Sequence, residues 1–283
     1  MGDPRIPPDA VEKLRKKYGL DKPLFEQYLH FMGSMYQGEF GYSVTFRKPV
    51  FEVILERLPY TVGLLSVAIL LSTIFSVFLG AYTAWNRGKK LDIVGTNTAL
   101  FIRSLPSFWF AMMALLVLGY KFKLFPLFGV KTPGKEYANL FEYLKDLLWH
   151  LALPLLTLVI RQIGSTTLYM RGETINVLKE DFITTAKAKG ITNRKVLFKH
   201  AVRTSLMPMV TVTALRFGGM VSGAIMTETI FALPGTGRLI FQALSNGDYF
   251  LLQAAFFMTS IIALAANLIA DILYVFIDPR VNL

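Results

Sequence analysis

The chain has 283 residues and a formal net charge of +11, and 53% of its residues are hydrophobic while only 17% are charged. This composition excludes an ordinary soluble domain and indicates a membrane protein. The absence of cysteine excludes disulfides, thiolate metal sites and cysteine nucleophiles, and the three distant histidines lack metal-ligand spacing. We therefore predict no metal or cofactor. Because the basic residues lie between apolar segments, we also predict no nucleic-acid partner.

Five apolar segments are each long enough to cross a bilayer core about 30 Å thick as a helix. Backbone groups in lipid must be paired within the chain, so the predicted fold is an all-α, polytopic membrane bundle. We expect Pro106, Pro154 and the pair Gly218 and Gly219 to bend or weaken its helices. The predicted spans are residues 58–85, 98–120, 147–170, 208–230 and 250–277.

Lysine and arginine predict the orientation of the spans. The connections 86–97 and 171–207, with the tail from 278, carry 12 of these residues, whereas 121–146 and 231–249 carry 6. The first set is therefore predicted to be cytoplasmic. This divides the chain into an extracytoplasmic region, 1–57, and a transmembrane domain, 58–283, with a cytoplasmic loop at 171–207.

Residues 1–57 are unusual for an exported segment. They hold nine basic and eight acidic residues and contain neither a signal peptide nor an apolar span. We therefore expect a first transmembrane helix to precede them in a complete relative.

No segment of the sequence has the features of an energy-converting site. The stretch GVKTPGKE at 129–136 has the glycine and lysine spacing of a phosphate-binding loop. However, Glu136 replaces the serine or threonine that would hold magnesium, Pro133 interrupts the loop, and no apolar strand precedes it. We predict a surface turn there and expect another chain to supply the energy for any uphill transport.

Ionisable residues inside the predicted spans are candidates for a polar path because charges at membrane depth are costly. Arg161 and Arg216 lie deepest, and they either line such a path or pair with backbone carbonyls or a neighbouring subunit. Arg103 lies near a helix end and can extend to the interface. Asn267 and Asp271 share one face of the last span, and we favour interhelical hydrogen bonding over a proton relay.

Small residues in the fourth predicted span suggest a second feature of the path. Gly219 and Gly223, with Ser222 between them, form a face that allows another helix to approach closely. Such a face is typical of a span that packs against a second subunit or lines a constriction of the path.

The connection 171–207 holds eight lysines and arginines. Residues 181–189 favour a short helix, Gly190 a left-handed stop, and 193–202 a second helix, with Pro208 at the start of the next span. A loop that only fixed topology would explain the charge. It would not explain the helix, glycine and helix order.

The stretch TTAKAKG, followed by a basic helix and SLMP, resembles the EAA loop of ATP-binding-cassette (ABC) importer permeases. Thr184 and Thr185 replace the usual glutamate and alanine and the interval from glycine to proline is longer, which is typical of the dipeptide and oligopeptide branch. The rest of the chain resembles that branch in GDP at 2, GLDKPLFEQYLHF at 19, FGYS at 40, ILERLPYT at 54, SLPSFW at 104, LALP at 151, YMRGETINVLKEDF at 169, ETIFALPGTGR at 228 and DPRV at 278.

This resemblance implies a multi-pass permease in the prokaryotic inner membrane. A second permease, usually a different chain, would complete the pathway, with two ABC ATPase subunits beneath and an extracytoplasmic solute-binding protein outside. In this family the GDP element follows a first helix, and six spans have both ends inside. The residues expected to contact the ATPase are Thr185, Ala186, Lys187, Lys189, Gly190 and Arg194. Those expected to line the path are Arg161, Arg216, Gly219, Ser222 and Gly223.

The alternatives concern cargo and energy source. Similar permeases carry oligosaccharides or nickel chelates instead of di- or oligopeptides. A self-sufficient secondary transporter would use Asp271, Glu228 and the arginines as coupling charges. A membrane enzyme is improbable because no convergent nucleophile, metal or acid–base set is present.

Overall fold

The computed structural model describes residues 21–220 and 224–277, and side chains for these except residues 30 and 269–277. Apart from a hairpin of β1 (Tyr42–Ser43) and β2 (Lys48–Pro49), the elements are helical. They are α1 (Leu24–Tyr36), α2 (Val50–Trp85), α3 (Lys90–Ser104), α4 (Ser107–Ala114, extended by a π-helix at Leu115–Lys121), α5 (Leu140–Val177), α6 (Asp181–Ala188), α7 (Asn193–Lys195, extended by a π-helix at Val196–Val202), α8 (Arg203–Gly219), α9 (Ile225–Ile230), α10 (Thr236–Asn246) and α11 (Tyr249–Ile277).

Helices α2 and α5 form the centre of the bundle and run parallel to each other. Ser72 Oγ donates to Gln162 Oε1 at 3.1 Å. Farther along both helices, Gly80 packs so closely on Met170 that an added Cβ would lie 2.7 Å from the Met170 Cβ. Both predicted spans are confirmed as helices, although α2 and α5 start before residues 58 and 147 and α5 continues beyond residue 170.

Prolines inside these helices do not end them. Pro154 lies within α5 and has no backbone N–H to donate to the His150 carbonyl, yet the helix continues to Val177. The Thr157 hydroxyl donates to the Pro154 carbonyl at 2.7 Å.

Helices α8 and α11 complete the bundle. Helix α8 is antiparallel to α2, because the Thr73 and Thr213 hydroxyls lie 3.4 Å apart while Ser66 donates to the Met220 sulfur farther on. Helix α11 contacts α8, where Asn267 packs against Gly218.

The bundle has two distinct ends. The basic end contains residues 86–89 and 178–192, where the Lys187 ammonium lies 5.6 Å from the centre of the Trp85 ring. The hairpin end contains residues 42–49 and 231–248, where Ser43 Oγ donates to Asp248 Oδ2 at 2.6 Å. Asp248 is buried and also accepts the backbone N–H of Thr45, which fixes the hairpin to the start of α11.

The second predicted span, 98–120, is not one straight helix. Helices α3 and α4 meet at an angle of 97°. Leu105, between them, has an extended backbone with φ −71° and ψ 131°. Pro106 explains the bend, because its ring disfavours helical geometry at the preceding residue and it has no backbone N–H to continue the helix. The expected bend at Pro106 is confirmed, but the single continuous helix is wrong.

The fourth predicted span, 208–230, is also not one helix. Helix α8 ends at Gly219, Ala224 has non-helical φ −101° and ψ 69°, and α9 begins at Ile225. Pro208 lies inside α8 and does not mark its start. Among the described residues, three helices are long and apolar enough to cross a membrane, and the bent pair α3–α4 is a fourth candidate. The predicted count of five is therefore not confirmed.

The GVKTPGKE stretch folds as a turn against α5. Asp146 accepts hydrogen bonds from the Thr132 backbone N–H at 2.7 Å and from the Thr132 hydroxyl at 2.8 Å. Lys135 pairs with Glu142 at 3.1 Å. The predicted surface turn is confirmed. The Thr132 N–H and the Lys135 ammonium are both bound by carboxylates of this chain.

Candidate coupling surface and translocation path

Helix α6 is anchored at the basic end by its inner face. Ile183 is fully buried and Ala186 is 6% exposed, and both belong to a cluster that includes Ala81 of α2, Met170 of α5 and Met209 of α8. A helix this short is not stable alone, so tertiary packing must hold it in place. Helix α6 is therefore held by a buried cluster to which three long helices contribute.

Gly190 ends α6 as the sequence predicts. Its φ is +75°, and its N–H donates to the Lys187 carbonyl at 3.0 Å. The Ile191 N–H donates to the Ala186 carbonyl at 3.3 Å. This pair of bonds defines a Schellman motif, which requires a left-handed residue and so favours glycine.

The outer face of α6 and the turn after it form an exposed surface, which we call the coupling surface. Most predicted contact residues lie on it, but Ala186 does not, because its side chain faces the buried cluster. Phe182 and Phe198, each 41% exposed, border this region and were not anticipated from the sequence. The exposed members of the coupling surface are Thr184, Thr185, Lys187, Ala188, Lys189, Gly190, Asn193, Arg194 and Lys195.

The second predicted helix of this loop continues directly into α8. Residues 193–195 are α-helical, Val196–Val202 form a π-helix, and α8 follows without a break. The predicted loop at 171–207 is thus largely helical, because α5 extends to Val177 and α8 starts at Arg203. The coupling surface is therefore joined by continuous helix to the segment that carries Arg216.

Arg216 lies in a polar interface between α2, α5 and α8. Its Nη1 donates to Thr166 Oγ1 at 2.5 Å, and no carboxylate pairs with it among the described residues. The side chain is half-buried. A charge in such a place needs polar neighbours, and the other polar members of this interface are Ser66, Ser72, Thr73, Gln162 and Thr213.

The remaining predicted path residues differ in position. Arg161 is exposed on α5 and makes no hydrogen bond or ion pair within the described part of the chain. Gly219 is exposed with no neighbour within 4 Å of an added Cβ, whereas Ser222 and Gly223 lie outside the described residues. Since Arg161 lies deep in an apolar helix, water or another subunit must cover its charge.

The close helix approach within this chain is made by Gly218 and not by Gly219. An added Cβ at Gly218 would overlap the Asn267 Oδ1 atom. That oxygen is buried without a hydrogen-bond partner among the described residues, so the expected interhelical bond through it is not found. The Asp271 side chain lies outside the described residues.

Glu228 forms an unpredicted structural cluster at the hairpin end. It is 1% exposed, and its carboxyl group accepts from the Thr61 hydroxyl at 2.8 Å and from the Arg238 backbone N–H at 3.0 Å. An added Cβ at Gly235 would overlap this carboxyl group, and one at Gly237 would lie 3.0 Å from Glu228 Oε2. The cluster connects α2, α9 and the amino terminus of α10.

Comparisons with known proteins identify the molecule. The family described as "Binding-protein-dependent transport system inner membrane component" matches residues 76–283, and its N-terminal companion family matches residues 3–65. The chain belongs to this family. It is a non-catalytic permease subunit of the inner membrane, and ATP hydrolysis belongs to a separate subunit. This excludes a self-sufficient transporter and implies a partner permease, an ATPase and a binding protein.

Individual relatives cover nearly all of this permease. It is 37% identical to the oligopeptide transport system permease protein AppB of Bacillus subtilis, over 100% of this chain and 88% of the relative. It is 32% identical to the dipeptide transport system permease protein DppB of Escherichia coli K12, over 99% of this chain and 88% of the relative. It is also 30% identical to the peptidoglycan transport system permease protein YejB of Agrobacterium fabrum, over 98% and 77%.

Solved structures support the fold. A chain of the inward-facing MetNI methionine ABC transporter matches with a TM-score of 0.66 at 12% identity, over 81% of this permease and 98% of that chain. A chain of an amino acid ABC transporter matches with a TM-score of 0.54 at 13% identity, over 82% and 95%. The permease therefore has the all-α ABC importer fold predicted from its sequence.

Proposed function

We propose that this permease forms half of the pathway of an ATP-driven importer for di- and oligopeptides. Support comes from the peptide permeases AppB and DppB, which are 37% and 32% identical to it. A second, different permease would form the other half, two ATPase subunits would bind at the basic end, and a solute-binding protein would deliver peptide at the hairpin end. Residues 1–57 would then be extracytoplasmic and the loop 171–207 cytoplasmic.

The observation that carries this proposal is the arrangement of α6. Its outer face is exposed and basic, and its inner face lies in a buried cluster that also holds residues of α2, α5 and α8. In the proposed mechanism the ATPase binds the coupling surface through Thr185, Lys187 and Gly190, with Lys189 and Arg194 as charged neighbours. Ala186 was expected to contact the ATPase, but its side chain is buried, so we propose that it anchors α6 instead. Closure of the ATPases would displace a rigid helix and thereby move the spans.

The test is Gly190→Asp in the assembled complex. Because coupling free energies commonly correspond to 5- to 150-fold effects, we expect peptide-stimulated ATP hydrolysis and transport to fall about fivefold or more. The matched control is Gly134→Asp, since Gly134 also has a positive φ of +71° and open space around it but lies in the turn before α5. This control imposes the same backbone strain and charge away from α6.

Membrane insertion and copurification of the partner subunits are measured in both variants. Normal coupling in Gly190→Asp, with insertion intact, would remove the proposed role from the coupling surface. An equal loss in Gly134→Asp would assign the effect to strain or charge instead of position.

A further inference from the structure

Asp92 and Arg171 form a bidentate ion pair at the basic end that connects α3 to α5. Arg171 Nε donates to Asp92 Oδ1 at 2.6 Å, and Arg171 Nη2 donates to Asp92 Oδ2 at 2.8 Å. Asp92 is only 4% exposed. It also accepts the Gly88 backbone N–H at 3.0 Å and the Thr96 hydroxyl at 3.2 Å. Two parallel charge-assisted bonds fix both the distance and the angle between the two helices.

Arg171 lies beside the residues that anchor α6. The preceding residue, Met170, is fully buried in the same cluster as Ile183 and Ala186. Helix α6 and the segment of α5 that holds Arg171 thus share one buried cluster. The ion pair joins this segment to Asp92 in the first turn of α3.

Helix α3 also packs closely against α2 and α5. An added Cβ at Gly95 would lie 2.6 Å from the Thr83 side chain of α2, and one at Gly164 of α5 would lie 2.8 Å from the Ala99 carbonyl. The contacts at Gly95 and Gly164 involve only apolar or backbone atoms. Among the contacts that hold α3, the Asp92–Arg171 ion pair is the strongly directional one.

The far end of α3 leads towards the opposite side of the bundle. After the bend at Leu105 and Pro106, Ala111 of α4 is buried in a cluster with Leu153 of α5 and Phe231 at the end of α9. Helix α4 therefore contacts α9, which also carries Glu228.

We propose that Asp92 and Arg171 are positioning residues that transmit displacement of α6 to the bent pair α3–α4 during transport. The proposal rests on the coupling function proposed above for α6. Through these two residues, an ATPase at the basic end would move the bent pair α3–α4, which contacts α9.

The test compares Asp92→Asn, Arg171→Gln and the double variant in the full complex, reconstituted in proteoliposomes with the binding protein and a dipeptide. The measured quantity is peptide transported per ATP hydrolysed. We expect this ratio to fall about threefold or more in each single variant, in the range known for residues along coupling networks. The double variant should lose no more than the single variants, because both remove the same interaction.

Two further variants separate transmission from folding. Lys90→Gln removes an exposed charge from the same turn of α3 and should leave the ratio unchanged. Arg171→Lys keeps the charge but not the bidentate geometry, and should lower the ratio. A purely structural role would reduce the amount of complex while each remaining complex kept its normal ratio. If the single variants do not assemble, the double variant, which leaves no charge unpaired, supplies the measurement.

The Gly190→Asp complex is measured alongside. An unchanged ratio in the Asp92 and Arg171 variants, with Gly190→Asp defective, would overturn the transmission role and leave the proposed function standing. An unchanged ratio in the Asp92 and Arg171 variants, together with normal peptide-stimulated ATP hydrolysis and transport in Gly190→Asp, would overturn both.

Discussion

Arg216 and Glu228 are ionisable side chains that have no oppositely charged partner among the described residues. Glu228 is satisfied by a hydroxyl and backbone N–H groups, and two glycines leave room for it. Arg216 has one hydroxyl partner, Thr166, and remains half-buried. Glu228 is therefore fully engaged in structure, whereas several donors of Arg216 remain available to another group.

The variant Arg216→Gln tests whether Arg216 binds the carboxylate of a transported peptide. A charge-assisted hydrogen bond contributes a few kcal/mol at most, so we expect Arg216→Gln to reduce the preference for a free carboxylate by about tenfold. The measurement is competitive uptake of a dipeptide and its carboxyl-amidated analogue. Arg103→Gln is the control, because Arg103 is an exposed arginine near the bend of α3.

Equal uptake of the two peptides by the parent complex, unchanged in Arg216→Gln, would contradict this role. A similar loss of preference in Arg103→Gln would indicate a general effect of charge.

At the scale of elements, α6 depends on contacts that its own sequence cannot supply. Its eight residues end in a Schellman motif at Gly190, which is a local property. Its position depends on Ile183 and Ala186, which share a buried cluster with residues of three other helices. The sequence therefore predicted the existence and end of α6, but the inward direction of Ala186 required the tertiary contacts.

Shortening the buried Ile183 side chain should loosen the packing of α6. Large-to-small changes at buried positions commonly cost about 2–5 kcal/mol, so Ile183→Ala should lower the local opening free energy of α6 by an amount in that range. Hydrogen exchange of residues 181–191 in the purified complex measures this directly. Thr184→Ala, on the exposed face, should exchange at nearly the parent rate. Unchanged protection in Ile183→Ala would show that α6 is not held by this cluster.

At the scale of the whole molecule, the two ends of the bundle differ in charge and in contacts. The basic connections meet at one end through the Lys187–Trp85 and Asp92–Arg171 contacts. The opposite end is held by Asp248 and by the Glu228 cluster. The uneven distribution of lysine and arginine predicts that the basic end faces the cytoplasm.

The absence of cysteine allows a direct test of this orientation. Lys131→Cys in the turn before α5 and Lys189→Cys in the coupling surface both place a thiol at an exposed position. A membrane-impermeant maleimide should label Lys131→Cys in intact cells and Lys189→Cys only after lysis, while the parent stays unlabelled. The reverse result would place α6 out of reach of a cytoplasmic ATPase.

The sequence by itself determined the membrane class, the long helices α2, α5 and α11, the cap at Gly190 and the resemblance to peptide importer permeases. These are properties of composition, of apolar length and of residues close together in the chain. The bend at Pro106 was likewise predicted, since a proline acts on the residue next to it. Only the tertiary structure decided that Glu228 of α9 meets Thr61 of α2, because that contact joins residues far apart in the chain. It also decided that Asp92 meets Arg171, since the partner of a buried charge is set by helix packing and not by distance along the chain.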